Sequence, residues 1–231
     1  QFVAAGLVVE NQDCPNRPTN SPKWCYTIEE NALNLLRTFN SKKWKTNIEE
    51  YLAKVKTLTQ RYAKERDMLM IPVKLVDGKE IKLSPGKHNE LIKSIIENFA
   101  PRFAPGAKVL YVGDTAKKWG YFDKPLFQEL GNSIDSHGKM PDVVLYYPQK
   151  DWFLLIEAVT SHGPVDGKRR QELCKLFKSI LDKLIFITAF STRSEMSSYL
   201  NDISWETEVW VAENPTHLIH FNGERFLGPY K

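Results

Sequence analysis

The 231-residue chain is 42% hydrophobic and 26% charged, with 12 Gly, 13 Pro and a formal net charge of +4. That balance supports a sizeable core, in one large domain or two small ones, and excludes a disordered or collagen-like chain. No apolar run approaches the roughly 18 residues of a membrane span, and the three cysteines (Cys14, Cys25, Cys174) lack C-x-x-C spacing, which speaks against a disulfide framework or structural zinc; the expected compartment is the reducing cytoplasm. The opening Gln1-Phe2-Val3-Ala4-Ala5-Gly6 has no signal-peptide pattern and no initiator Met, and it begins in strand-like sequence, so the expectation is a piece of a longer chain.

Leu7-Val8-Val9 and Trp24-Cys25-Tyr26 flank a polar, Pro-containing loop from Asn11 to Lys23 and read as a hairpin. Thr27-Ile28-Glu29-Glu30 has the form of a capping box opening a helix to about Phe39, with Leu33, Leu35 and Leu36 for its buried side. A hairpin feeding a helix is half of a winged-helix unit. Trp44, Ile48, Tyr51, Leu52, Val55, Leu58 and Tyr62 then recur at steps of three and four, a long amphipathic helix that would connect two domains. Lys42, Lys43, Lys45, Lys54, Lys56, Arg61, Lys64 and Arg66 crowd this stretch, either as a solvated face or as a nucleic-acid surface.

A second hairpin is expected from Ile71 to Leu83, turned by Asp77-Gly78. Ser84-Pro85 would open a helix as N-cap and first residue, burying Leu91, Ile92, Ile95, Ile96 and Phe99 and ending at Pro101. Strands follow at 108 to 112, 143 to 147, 152 to 159, 184 to 189, 208 to 211 and 217 to 221, with helices near 125 to 130, 166 to 181 and 194 to 203. The fold class is α/β with a mixed sheet. The expected division is a hairpin-and-helix remnant of a winged-helix-like unit over 1 to 40, a connector and hairpin over 41 to 83, and an α/β domain over 84 to 231.

The chemistry concentrates in the hairpin of 143 to 159. A loop of two residues at Gln149-Lys150, or of four from Pro148 to Asp151, gives one and the same register, with Tyr147 opposite Trp152 and hence Asp142 opposite Glu157, Cβ atoms about 4.5–5.5 Å apart. Two carboxylates so placed either share a proton or are held ionised by a cation. If the strand ending Val112-Gly113-Asp114 joins this hairpin as a meander, Asp114 reaches the same sheet end, and three hard oxygen donors favour Mg²⁺ over zinc. The bland alternative is a strand-entry turn at Pro141-Asp142 and an exposed Glu157. Against it, Glu157 follows the apolar run Phe153-Leu154-Leu155-Ile156, where an unpaired charge costs several kcal/mol. Other constellations carry less: His217 and His220 are three apart, hence on opposite faces of a strand, and Cys174 reads as core.

Long blocks of this sequence resemble the BsuBI/PstI family of type II restriction endonucleases. They are Ser84-Pro85-Gly86-Lys87-His88-Asn89, Val109-Leu110-Tyr111-Val112-Gly113-Asp114, Gly138-Lys139-Met140-Pro141-Asp142-Val143-Val144, Glu157 through Asp166, Trp205 through Trp210 and His220-Phe221-Asn222-Gly223, with Arg17-Pro18-Thr19-Asn20-Ser21 upstream and Phe226-Leu227-Gly228-Pro229-Tyr230 at the end. The resemblance implies a PD-(D/E)xK-type nuclease core behind part of a winged-helix-like region, Mg²⁺ dependence, a homodimer on duplex DNA, cleavage at CTGCAG with 3′ overhangs, and a cognate DNA methyltransferase.

Carried onto this chain, Asp142 matches the Asp of the PD element and Glu157 the acidic residue of the (D/E)xK element, with the Ala158 carbonyl as a further metal ligand. The pattern's Lys is replaced by Val159. Lys168 is the first substitute for it, His162 a second, able to act as a base near neutral pH, and Lys139 a third. Two other readings stay open: a DNA-binding module with an inactive nuclease fold, and a metal-dependent phosphohydrolase acting on other nucleic acids.

Overall fold

A computed structural model of the chain describes residues 2–3, 6–15, 17, 21–117, 119–131, 139–160 and 163–221, with backbone alone at 56–66. These residues group into two compact units, one running to Met70 and including Ser84–Gly86, the other made of Ile71–Leu83 and the residues from Lys87 on.

In the first unit, β1 (Val8–Glu10) and β2 (Tyr26–Ile28) form the expected antiparallel hairpin, with Val9 opposite Thr27. Because the ladder takes Thr27, that residue does not cap the helix. Glu29 does so instead, accepting from the Ala32 N–H at 3.0 Å, and α1 spans only Glu30–Leu36. Ala32 and Leu35 are its buried residues, whereas Leu36 is exposed. The long helix α2 (Trp44–Leu69) lays Trp44, Ile48, Tyr51 and Val55 against that pair, and Leu52 faces solvent. The side chains of Lys56, Leu58, Arg61, Tyr62, Lys64 and Arg66 lie outside the described residues.

The second unit opens with β3 (Ile71–Lys74) and β4 (Glu80–Leu83), turned where Gly78 adopts φ +86°. Gly86 at φ +141° is outside helical backbone, so α3 starts at Lys87 rather than at Ser84 and runs to Ser94. A π turn (Ile95–Phe99) carries it into α4 (Ala100–Phe103), with the Ala100 N–H reaching back to the Ile95 carbonyl. That widened turn gives room for the Pro101 ring inside the helix, where the sequence pattern places its end.

Seven strands build one mixed sheet: β5 (Lys108–Val112), β6 (Tyr121–Phe122), β7 (Val143–Tyr147), β8 (Trp152–Val159), β9 (Leu184–Phe190), β10 (Thr207–Val211) and β11 (Leu218–Phe221), in the order β11-β10-β9-β8-β7-β5-β6. β5, β7 and β8 are the antiparallel meander, while β8, β9 and β10 run parallel. Between them lie α5 (Lys124–Glu129), α6 (Gly167–Leu176), a 3-10 segment (Lys178–Lys183) and α7 (Arg193–Ser197). The helix expected to continue to 181 breaks at Phe177, and α7 stops well before Ile203, whose side chain is drawn into the core beside Val159 and Phe190.

Alternation along β8 divides the core. Leu154, Ile156 and Ala158 pack with Leu91, Ile92 and Ile95 of the α3 side, and Phe153 and Leu155 pack with Leu173 of α6 and the adjoining Phe177. α3 and α6 thus cover opposite faces of the sheet, and both reach its end where β8 terminates. Among the described residues no helix is long and apolar enough to cross a membrane.

Candidate active site

The hairpin turn Pro148–Asp151 pairs Tyr147 with Trp152, and the ladder runs without a slip to Val143 opposite Ile156. One position beyond that last pair, the same register would set Asp142 opposite Glu157. Asp142 Oδ2 takes the Ala158 N–H at 2.8 Å, so the side chain closes the ladder in place of a backbone carbonyl. Its own carbonyl accepts from the Gly113 N–H at 2.7 Å, which ties the ends of β5 and β7 together.

Glu157 is 12% exposed and shares its sheet face with α6. Burial pushes its carboxyl up to about 7; the charge of Asp142 acts in the same direction, and Arg169 pulls against both. Arg169 Nε donates to Glu157 Oε1 at 2.8 Å and Nη2 approaches the same oxygen at 2.7 Å. Nη2 also donates to the carbonyls of Lys139 and Met140, both at 3.1 Å.

On the other face His88, in the first turn of α3, sets Nε2 3.3 Å from Asp142 Oδ1 and Nδ1 3.2 Å from Thr160 Oγ1. Burial by itself would pull this histidine down; the hydrogen bond and charge of Asp142, with the charges of Glu157 and Asp114, leave it raised. Its neighbour Asn89 is fully buried and donates to Thr115 Oγ1 at 3.2 Å.

The expected residues are not all brought together. Asp114 reaches the same end of the sheet, but its Oδ1 accepts from the Ala116 and Lys117 N–H groups at 2.8 and 3.2 Å and so holds its own loop. Among the described residues no group of three His, Cys, Asp or Glu side chains could hold a metal ion by itself. Lys168 is exposed, and the cation on Glu157 is its neighbour Arg169. Lys139 is exposed as well and enters the site through its carbonyl. His162 lies outside the described residues. Val159 is buried among Phe190, Met196 and Ile203, on the face it shares with Glu157.

Sequence reasoning missed Arg169 and His88 as site residues. Signals existed for both: Arg169 sits inside the cation run Lys168-Arg169-Arg170, and His88 inside the block Ser84 to Asn89. The remaining minor readings are plain. His220 stands across the ladder from Glu208 and pairs with it, His217 contacts Thr216, and Cys174 packs on the core.

Comparison with known proteins identifies the relatives of this chain. A family model described as the BsuBI/PstI restriction endonuclease domain matches residues 71–224, and one described as the HTH domain of the same enzymes matches residues 1–60. The type II restriction enzyme BsuBI of Bacillus subtilis is 58% identical over 231 residues, all of this chain and 73% of that protein. The type II restriction enzyme AplI of Arthrospira platensis is 36% identical over 235 residues, 98% of this chain and 72% of that protein. The solved structure of SdaI restriction endonuclease superposes with a TM-score of 0.70 at 43% identity, covering 100% of this chain and 73% of the other.

Proposed function

We propose that this chain, which belongs to the BsuBI/PstI restriction endonuclease family, cuts both strands of duplex DNA at CTGCAG to leave 3′ overhangs, using Mg²⁺ held at Asp142 and Glu157. Its family and fold make it a type II site-specific deoxyribonuclease with a DNA-binding HTH region, built on a nuclease core of mixed α/β type. The observation that supports the rest is the β7/β8 register, whose last pair, Val143 opposite Ile156, stands next to Asp142 and Glu157 at the end of a buried strand.

The donor set fits a hard divalent cation. Oδ2 of Asp142 is held by the Ala158 N–H and Oε1 of Glu157 by Arg169, so a cation would take Glu157 Oε2 and share Asp142 Oδ1 with His88. Two carboxylates with water and substrate phosphate completing the shell is the usual arrangement for Mg²⁺. When bound there, Mg²⁺ supplies Lewis acidity to a non-bridging phosphate oxygen and lowers the pKa of water.

The protein's own residues do the rest. Asp142 and Glu157 hold the phosphate's partner in place, Asp114 adds negative potential, and His88 and Arg169 offset the mutual repulsion of the acids. Water would attack the phosphorus in line with the P–O3′ bond, which breaks as the new P–O bond forms; the water gives up a proton and the leaving 3′ oxygen takes one up. A proton-handling role for Lys168 or His162 in place of Val159 is the alternative that substitutions at those two residues would test. A palindromic target matches a two-fold homodimer in which each subunit cuts one strand. The enzyme would work in the cytoplasm beside a DNA methyltransferase that protects the host's own sites.

The test is a supercoiled plasmid with a single CTGCAG, incubated with Mg²⁺ or EDTA, beside a plasmid with that site altered. Linear product with 3′ overhangs, only with Mg²⁺ and only with the intact site, is expected. Binding without cleavage would favour an inactive nuclease fold, and digestion without site preference a general phosphohydrolase.

A further inference from the structure

We propose that Arg169 is a positioning residue of this active site: its guanidinium fixes one oxygen of Glu157 together with the two carbonyls just before Pro141-Asp142, and supplies the cation that Val159 cannot. The proposal rests on Asp142 and Glu157 being the catalytic pair.

Arg169 is built into its place from the backbone outward. Asp166 caps α6 and accepts the Arg169 N–H on Oδ1 at 2.6 Å, which fixes the third residue of the helix. From there the side chain runs inward and is only 11% exposed. Such a position gains nothing from the helix dipole, which disfavours a cation in the first turn. The ion pair with Glu172, Nη1 to Oε2 at 3.4 Å, is long and half exposed, and does not account for the burial.

What does account for it is the fork of contacts on the other side. Nε and Nη2 both fall on Oε1 of Glu157, and Nη2 also reaches the Lys139 and Met140 carbonyls. A planar guanidinium presents its donors in a fixed fork, which suits a carboxylate on β8 and two backbone carbonyls entering β7 better than an ammonium on a flexible stem does. The β7/β8 ladder ends at Val143 opposite Ile156, one position short of the acid pair, so Arg169 ties the strands where backbone pairing has stopped. Both contacts of Arg169 with Glu157 fall on Oε1, not on Oε2.

Metal binding, cleavage and rescue test this on the full chain. Mn²⁺ titrated into the Arg169→Ala protein without DNA, read by electron paramagnetic resonance, should bind about tenfold more weakly, because Glu157 is no longer held in register. Single-turnover cleavage should fall on the order of 10²-fold, while affinity for cognate DNA in Ca²⁺ stays unchanged. Arg169→Lys should recover part of the rate, and millimolar guanidinium should restore the Arg169→Ala enzyme about tenfold.

Wild-type rate and Mn²⁺ affinity in Arg169→Ala would overturn the proposal. Tighter Mn²⁺ binding would also overturn it, since Arg169 would then only compete with the metal for Glu157. Equal losses in the Ala and Lys variants, with a lowered melting temperature and no guanidinium rescue, would reduce Arg169 to a brace for the fold. Normal cleavage by Asp142→Asn or Glu157→Gln would instead remove the assignment of the catalytic pair.

Discussion

His88 Nε2 stands 3.3 Å from Asp142 Oδ1 while its other ring nitrogen meets Thr160, so one imidazole from α3 spans the open ends of β7 and β8. The interaction has a pH signature in the metal-free protein. The folded pKa of His88 is raised above the ordinary 6.5, so its stabilisation is full below that value and is lost as pH climbs through the folded pKa. His88→Gln should therefore lower stability by about 1–2 kcal/mol near pH 6 and by much less near pH 8.5, as read from thermal melts in EDTA. Equal losses at both pH values would show that the ring only packs.

The acid pair itself is tested by Asp142→Asn and Glu157→Gln. Each should bring cleavage below detection yet leave specific DNA binding intact or tighter, because removing a carboxylate lessens repulsion of the phosphate. Cleavage at a near-normal rate by either variant would displace the metal from this pair.

Burial first, and then Asp142, pushes Glu157 up to about 7 against an ordinary 4.5, so folding favours its protonated form. In this case the stability contributed is full below 4.5 and disappears as pH rises through about 7, a loss on the order of 3 kcal/mol. EDTA-treated protein should show that decline, and Glu157→Gln should abolish this part of it. Mg²⁺ has to displace the proton, so its affinity should climb about tenfold per pH unit below about 7 and level off above. A pH-independent Mg²⁺ affinity, measured by calorimetry, would take Glu157 out of the ligand set.

Lys168 and Arg169 are neighbours in sequence and differ in surroundings, one exposed and the other on Glu157. Lys168→Ala is expected to cut at a rate within about threefold of wild type, against the roughly 10²-fold loss in Arg169→Ala. A loss of about 10²–10⁴-fold in Lys168→Ala would hand that residue the proton-handling role instead.

On α2, neutralising Lys54, Arg61 and Lys64 should make the dependence of log affinity on log salt shallower, by about 0.9 for each DNA phosphate that a removed cation had neutralised. An unchanged slope in fluorescence anisotropy titrations would identify this face as ordinary solvated surface.

The sequence alone carried the β7/β8 register. A strand has a period of two and a short loop leaves one pairing, so Asp142 opposite Glu157 was legible from Tyr147, Trp152 and the residues between them. Local signals failed where a longer-range partner outbid them. Thr27 offered a cap and was taken by β1, and Pro101 offered a helix end that a π turn absorbed. Lys168-Arg169-Arg170 announced three cations without saying which one turns inward. Successive helix residues point about 100° apart, and the rotation of α6 about its axis is set by burying Leu173 against the sheet. His88 reaches Asp142 because Leu91, Ile92 and Ile95 seat α3 on the opposite face. Strand pairing is local enough to be written in the spacing of residues, whereas the angle at which a helix presents one side chain to a strand is decided only when both are packed on a common core.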